Sequence, residues 1–275
     1  MGTLVLVATP IGNLGDLAPR AVEALASADL ICCEDTRRSG RLLQHAGITA
    51  RRLRRLDDHT EQTAIPEILD LLATSSTVAV VTDAGTPGIS DPGQRLVRAA
   101  SEAGHTVTAV PGPAALIMAL VISGLPTDRF VFEGFLPRSG VARAERLQEL
   151  AEERRTIVLY EAPHRVQRTA QDLVSHLGAD RPVALCRELT KLHEEVWRGS
   201  LHHAVEHLEE SEPIGEFVIV LGGAPAPEPL NDEEVRRRLS AVLATGLSKR
   251  DAATHVAAET GRPKRAVYAL ALELN

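Results

Sequence analysis

Apolar and polar positions alternate in two rhythms over the first 110 residues. "TLVLVA" (3–8), "LICC" (30–33), "TVAVVT" (77–82) and "TVTAV" (106–110) are short apolar runs of strand length. "TVAVVT" is rich in β-branched residues and reads as buried on both faces. Between these runs, "LAPRAVEALASA" (17–28), "TRRSGRLLQHAG" (36–47), "TEQTAIPEILDLLA" (60–73) and "DPGQRLVRAASEAG" (91–104) have helical spacing. "RLRRL" (52–56) predicts a short strand toward a sheet edge. The punctuation fits: Asp16 is placed to cap the first helix, with Pro19 in its first turn, and Gly47 stops the second. Pro66 interrupts the third helix, and Asp91 with Pro92 opens the fourth. "PAALIMALVIS" (113–123) is apolar all round and suits burial between layers. Strand–helix alternation of this kind predicts a parallel sheet wrapped by helices.

"GLPTDR" (124–129) breaks the rhythm and reads as a link to a second α/β unit. Its strand runs are "FVFEGF", "RTIVLYE", "PVALCRE", "HEEVWRGS" and "EFVIVLGG". Two of them follow one another without a helix, so the second sheet is expected to be mixed. "APAPEPL" (224–230) reads as a semi-rigid linker to three helical stretches, with Ser248 capping the middle one and Gly261 stopping it. The fold class is α/β: residues 1–124 with a parallel sheet, 125–224 with a mixed sheet, and a helical appendix at 231–275. The appendix resembles a helix-turn-helix in pattern, but packing or dimerisation is the preferred reading over DNA recognition.

Composition narrows the function. The 275 residues are 44% hydrophobic and 24% charged, as in ordinary globular chains. Aromatics at 3% argue against an aromatic base-stacking surface. A net charge of −7 argues against a protein that coats nucleic acid, while "RRLRR" (51–55) and "DTRRSGR" (35–41) are local basic candidates. Cys32, Cys33 and Cys186 do not make a disulfide framework and read as core residues in a reducing cytoplasm. The N-terminal apolar run lacks a basic leader and a cleavage site, and no stretch reaches transmembrane length, so no membrane partner is expected.

Ligands of open α/β sheets bind beyond the carboxyl ends of the strands. There the chain places "DAGTPGISDPG" (83–93), with more glycine and proline than a plain connection needs. Glycines admit a ligand close to the backbone, prolines hold the loop, Thr86 and Ser90 can donate hydrogen bonds, and Asp83 and Asp91 can accept them. That chemistry suits an amino-acid or ribose ligand. "ATPIGNLGD" (8–16) lacks the dinucleotide glycine pattern, and no P-loop is present. "VPGPAAL" (110–116) is a third compact strand-end turn, and three such loops in one half suggest a shared pocket.

These segments carry a resemblance. "LVATPIGNLGDL", "CEDTRRSGRLL", "DAGTPGISDPG", "VPGPAAL", "GFLPR", "LYEAPHR", "RELTKLHEEVWRG" and "GEFVIVLGG", in this order, resemble the bacterial 16S ribosomal RNA cytidine 2′-O-methyltransferases of the tetrapyrrole methylase superfamily. The resemblance covers nearly all of residues 3–223. It implies two α/β domains of that superfamily's type with S-adenosyl-L-methionine folded into the cleft between them. It also implies a homodimer and a target cytidine in the decoding region of 16S rRNA. Donor contacts carried over by motif are Pro10, Ile11, Gly85, Thr86, Pro87, Ile89, Ser90, Ala114, Ala115, Tyr160, Glu161 and Glu216. The sequence departs from the family's pattern at Thr60 in "DDHTE" and at Ser139 after Arg138.

A ribose 2′-hydroxyl is a poor nucleophile and gains from a proton acceptor. Glu188, Lys191 and Glu133 are the leading candidates, beside Glu34 and Asp35. Lys191 would need a depressed pKa to serve. Phosphate positioning falls to Arg37, Arg38, Arg138, Arg165 and Arg187. The acidic net charge favours the assembled small subunit over naked RNA as acceptor. Precorrin or uroporphyrinogen methylases, diphthine synthases and a non-catalytic adenosine-ligand sensor are the rival readings.

Overall fold

In the computed structural model the apolar runs of the first 110 residues form one parallel sheet. Its strands are β1 (Thr3–Val7), β2 (Leu30–Cys33), β3 (Leu53–Arg55), β4 (Thr77–Val81) and β5 (Thr106–Val110), in the order β3-β2-β4-β1-β5. The connecting helices are α1 (Pro19–Ser27), α2 (Thr36–His45), α3 (Glu61–Ala73) and α4 (Gln94–Glu102). One face of the sheet buries Leu4, Leu30, Val78 and Val80 with Ile68 of α3 and Leu96 of α4. The other buries Val5, Val7, Ile31 and Val81 with Leu25 of α1 and Leu43 of α2. Burial on both faces is why these strands read as continuous apolar runs. Strands β4, β1 and β5 are adjacent, so the loops that follow them emerge side by side. Cys32, Cys33 and Cys186 are free and buried, and burial pushes the Cys32 thiol up to about 12.

Three local expectations need correction. Asp16 lies in a short 3₁₀ turn (Leu14–Asp16) and does not cap α1, whose cap is Ala18 with no side-chain bond. Pro19 at the first helical position has no N–H to satisfy, which reduces the need for a cap. Pro66 does not interrupt α3. Pro66 and Gln62, whose carbonyl loses its partner, both face solvent, where water replaces the bond. Helix α4 begins at Gln94, after Gly93 (φ 129°), and not at Pro92. Its cap comes from a distance: buried Glu61 Oε1 accepts from Gly93 N and Leu96 N, each at 3.0 Å. Asp91 is thereby relieved of the capping role.

The second sheet contains β6 (Phe130–Phe135), β7 (Thr156–Glu161), β8 (Pro182–Arg187), β9 (Glu195–Ser200) and β10 (Phe217–Leu221), ordered β6-β7-β10-β8-β9. The pair β6–β7 is parallel and the other pairs are antiparallel, so the sheet is mixed. Helix α5 (Ala115–Ser123) lies between β5 and β6 in sequence. Helices α6 (Val141–Glu152), α7 (Pro163–Leu177) and α8 (Leu201–Glu209) cover one face of the second sheet. The other face, with Val158, Cys186, Val218 and Val220, is covered by Leu116, Ala119 and Leu120 of α5. The remaining side of α5 leaves Ile117, Met118 and Val121 exposed, so this helix is buried on one side only.

The structure describes residues 1–210, 212–225 and 230–274, which form two compact units, Met1–Ala224 and Pro225–Asn275. Most of the expected proline-rich linker, at 226–229, lies outside the described residues. The second unit consists of α9 (Asp232–Leu243), α10 (Lys249–Thr260) and α11 (Lys264–Glu273) around Val235, Leu239, Val256 and Val267. Ser248 caps α10 through the N–H of Asp251, and Gly261 (φ 67°) ends it. Among the described residues no helix is long and apolar enough to cross a membrane.

Candidate active site

The three strand-end loops of the parallel sheet are tied to one another. Thr9 N donates to Gly85 O at 2.8 Å and Gly85 N to Thr9 O at 3.1 Å. Thr86 Oγ1 donates to Pro113 O at 3.1 Å, joining the second loop to the third. Gly85 has φ +80°, a left-handed conformation that favours glycine. The first loop also abuts the second sheet: a Cβ on Gly12 would lie 2.4 Å from Lys191 Cγ, and Asn13 N donates to Thr190 Oγ1 at 3.1 Å.

A cavity of about 330 Å³ lies between these loops and the second sheet, a size suited to one small ligand. Ile11, Gly85, Thr86, Ile89, Ser90, Ala114 and Ala115 line it from the first half. Tyr160, Glu161 and Glu216 line it from the second. Pro10 and Pro87, also expected here, are buried and do not line the cavity. Asp91, an expected acceptor of the ligand loop, lines it as well, and sequence reasoning missed Phe135, Pro163 and Phe217, which also do. Tyr160 joins the halves: its Oη accepts from Leu116 N at 3.2 Å, an orphan donor of the first turn of α5. Its ring meets Phe132 and Phe135 edge-on, at centroid distances of 4.9 and 5.7 Å.

The Glu161 carboxylate is engaged within the protein. Oε1 accepts from Ala162 N at 2.9 Å and lies 3.2 Å from Arg165 Nε, while Oε2 accepts from Thr169 Oγ1 at 2.6 Å. Arg165 in turn donates to Leu136 O at 2.7 Å. Arg143, 4% exposed, donates to Thr169 Oγ1, Pro137 O and Asp172 Oδ2 at 2.8–2.9 Å. This network fixes the "FLPR" segment behind the cavity. It also corrects one expectation: Arg165 is committed to Glu161 and a backbone carbonyl, leaving it unsuited to hold a phosphate.

At the cavity rim, Lys191 Nζ donates to Glu188 Oε1 at 2.7 Å and to Glu216 Oε2 at 2.9 Å. Burial draws the Lys191 ammonium down, but the two carboxylates outweigh it and hold its pKa above the ordinary value. This is the reverse of what a lysine base requires, so Lys191 stands as a cation. Burial pushes Glu188 up, yet Lys191 and the N–H of Glu216 outweigh it and keep Glu188 below the usual carboxylate range. Glu133 lies at the β6 bulge, 3.5 Å from Arg146, and does not line the cavity.

Arg37 and Arg138 are exposed; Arg37 pairs with Asp35, while Arg138 makes no ion pair among the described residues. Arg38 pairs with Asp83 at 3.1 Å and Arg187 with Glu195 at 2.8 Å. The "RRLRR" patch is mostly neutralised, since Arg51 pairs with Asp29, Arg52 and Arg54 share Glu67, and Arg55 pairs with Asp57.

Asp91 is the half-buried carboxyl of the cavity wall. Burial pushes it up to about 7, with Glu34 and Asp83 adding to the shift. An acid raised from 3.8 to about 7 on folding binds its proton more tightly in the native state. Its contribution to stability is therefore full below about pH 4, is lost as pH rises toward 7, and is constant beyond. Asp91→Asn should flatten this decline, which urea unfolding at pH 5 and pH 8 would read.

Loops at adjacent strand ends, a second mixed sheet and a nucleoside-sized cavity between them define an α/β group-transfer fold. The chain belongs to the tetrapyrrole methylase family: the model described as "Tetrapyrrole (Corrin/Porphyrin) Methylases" matches residues 3–205. A second model, "RsmI C-terminal HTH domain", matches residues 229–275. The chain is 51% identical to "Ribosomal RNA small subunit methyltransferase I" of Synechocystis sp., over 100% of this chain and 99% of that one. It is 46% identical to the protein of the same name from Mycobacterium tuberculosis, covering 94% of this chain and 90% of the relative. For the Escherichia coli O157:H7 protein of that name the identity is 43%, covering 99% and 95%. Among solved structures, the methyltransferase CobJ superposes with a TM-score of 0.60 at 20% identity, over 82% of this chain and 95% of that one. The uroporphyrin-III-C-methyltransferase of Thermus thermophilus gives 0.55 at 21% identity, over 81% and 94%. These two share the fold.

Proposed function

We propose that this methylase transfers a methyl group from S-adenosylmethionine to the 2′-hydroxyl of a cytidine in the decoding region of 16S ribosomal RNA. The observation that carries the reading is full-length identity of 43–51% to proteins named for methylation of small-subunit ribosomal RNA. The cavity fits the donor: loop backbone at Gly85 and Thr86, small Ala114 and Ala115, and an apolar wall at Ile11 and Phe135 suit an adenosine-sized ligand. Glu216 puts a carboxylate at the wall for a cationic ligand. When bound, the donor supplies an electrophilic methyl on a sulfonium. The residues of this chain align the hydroxyl with it and exclude water. The enzyme acts in the cytoplasm as a homodimer, with exposed Ile117, Met118 and Val121 of α5 supporting a contact between copies.

Arg37, Arg38, Arg138 and Arg187 hold the RNA backbone in this reading. Arg138→Ala should weaken RNA binding and lower its salt slope by about one, leaving donor affinity intact. Arg165→Ala should instead lower stability, because it strands buried Glu161. Filter binding at several salt concentrations separates the two variants. The function itself is tested by label transfer from methyl-labelled donor to small subunits from cells lacking the enzyme, with the modified nucleotide mapped by mass. A protein that binds the donor but labels no RNA would be the sensor of the rival reading.

A further inference from the structure

We infer that the Asp91 carboxylate is the proton acceptor for the attacking ribose hydroxyl, an assignment that rests on the methyl-transfer reading above. Three other candidates near the cavity are committed or placed elsewhere. Lys191 is a cation held between Glu188 and Glu216. Glu161 accepts two hydrogen bonds from within the protein and pairs with Arg165. Glu133 is outside the cavity. Asp91 lies in the wall, next to Ser90 and on the same cavity as Tyr160. The cap of α4, its expected employment, is supplied by Glu61. A side chain displaced from a structural role and retained in the cavity wall is available for chemistry.

Its surroundings suit proton transfer near neutral pH. Glu34 at the end of β2, Asp58 after β3 and Asp83 after β4 face it with like charge, and Thr82 offers a hydroxyl. Tyr160 approaches from β7 as a neutral phenol, raised by burial. Arg38 of α2 is a nearby cation, paired with Asp83. Burial and these carboxylates raise Asp91 to about 7, which matches a proton acceptor to a working pH near neutrality. In the step, the hydroxyl oxygen bonds to the donor's methyl carbon and the carbon–sulfur bond breaks. The bonding pair stays on sulfur, which becomes a neutral thioether. The hydroxyl proton passes to Asp91 and then to solvent.

The test uses the full chain, S-adenosylmethionine and undermethylated small subunits. Wild-type single-turnover rate should rise with pH through the Asp91 titration and level off above it. Asp91→Asn should lower that rate about 10²–10⁴-fold and flatten the profile, with donor and subunit affinities unchanged. Added formate should restore part of the rate to Asp91→Ala, a second variant that keeps the test open if the first misfolds. Carboxyl NMR of ligand-free protein, independent of activity, should show Asp91 titrating near neutrality. An Asp91→Asn enzyme that keeps the wild-type rate and profile overturns the inference alone, as does a loss explained wholly by weaker binding. A wild type that labels no small-subunit RNA overturns the proposed function, and this inference with it.

Discussion

Gly85→Val leaves the protein folded and reduces its affinity for S-adenosylmethionine at least a hundredfold. The residue sits at φ +80°, where a β-branched side chain is least tolerated and an L residue costs about 1–2 kcal/mol. A Cβ there would lie 3.4 Å from Ile11 Cγ2 and 3.8 Å from Pro113 O, two walls of the loop cluster. The valine methyls would therefore occupy the space a ligand needs, or force the loops apart. Parting them would break the paired bonds between Gly85 and Thr9. The fold tolerates this because the sheet beneath, with Val80 and Val81, packs independently of the loop. Gly85→Ala separates the two effects, since it carries the backbone strain with one methyl. Calorimetry with the donor, alongside a thermal melt, decides the matter. A folded Gly85→Val protein with wild-type affinity would sink the assignment of this cavity to the donor.

The strand ends were readable from sequence because parallel strands buried on both faces have an unmistakable composition, and the glycine–proline loops mark where they stop. Adjacency of β4, β1 and β5 then brings the three loops together. Tyr160 and Glu161 could be placed on the cavity only through the resemblance, because no local pattern says that β7 ends opposite β1. The errors lie in side-chain partners. Asp91 and Pro92 look like a helix start when judged locally, but Glu61, some thirty residues earlier, supplies the cap. Arg165 looks like a free cation beside a cavity, but the neighbouring strand end holds Glu161. Lys191 looks like a base if it is buried alone, and is a cation because Glu216 arrives from a distant segment. For α4 and Lys191 a long-range partner decides the side chain's employment or charge, about which periodicity carries no information, while Arg165 is claimed by a carboxylate four residues away.

Arg143 is a buried polar anchor, and its removal is expected to be strongly destabilising. Arg143 shares the inward face of α6 with Leu147 and Leu150 and is almost fully buried. Its guanidinium reaches Asp172 and Thr169 of α7 and the carbonyl of Pro137. Arg143→Ala would orphan the Pro137 carbonyl, remove a donor from Thr169 and leave Asp172 with the more distant Arg168 at 3.9 Å. Breaking a buried ion pair by removing one partner costs about 3–5 kcal/mol. The lower end applies here, since Asp172 is 31% exposed and regains water. The effect should extend to function, because Pro137 and Leu136 are the anchored carbonyls of the segment that carries Phe135 into the cavity wall. Donor affinity should fall several-fold in the fraction that remains folded. Arg143→Met keeps the volume without the fork of donors, and should recover some packing but none of the anchoring. Urea unfolding measures the first effect and calorimetry at low temperature the second. A midpoint within experimental error of wild type for Arg143→Ala would show that water replaces the whole network, and that the rigidity of the cavity wall comes from the sheet alone.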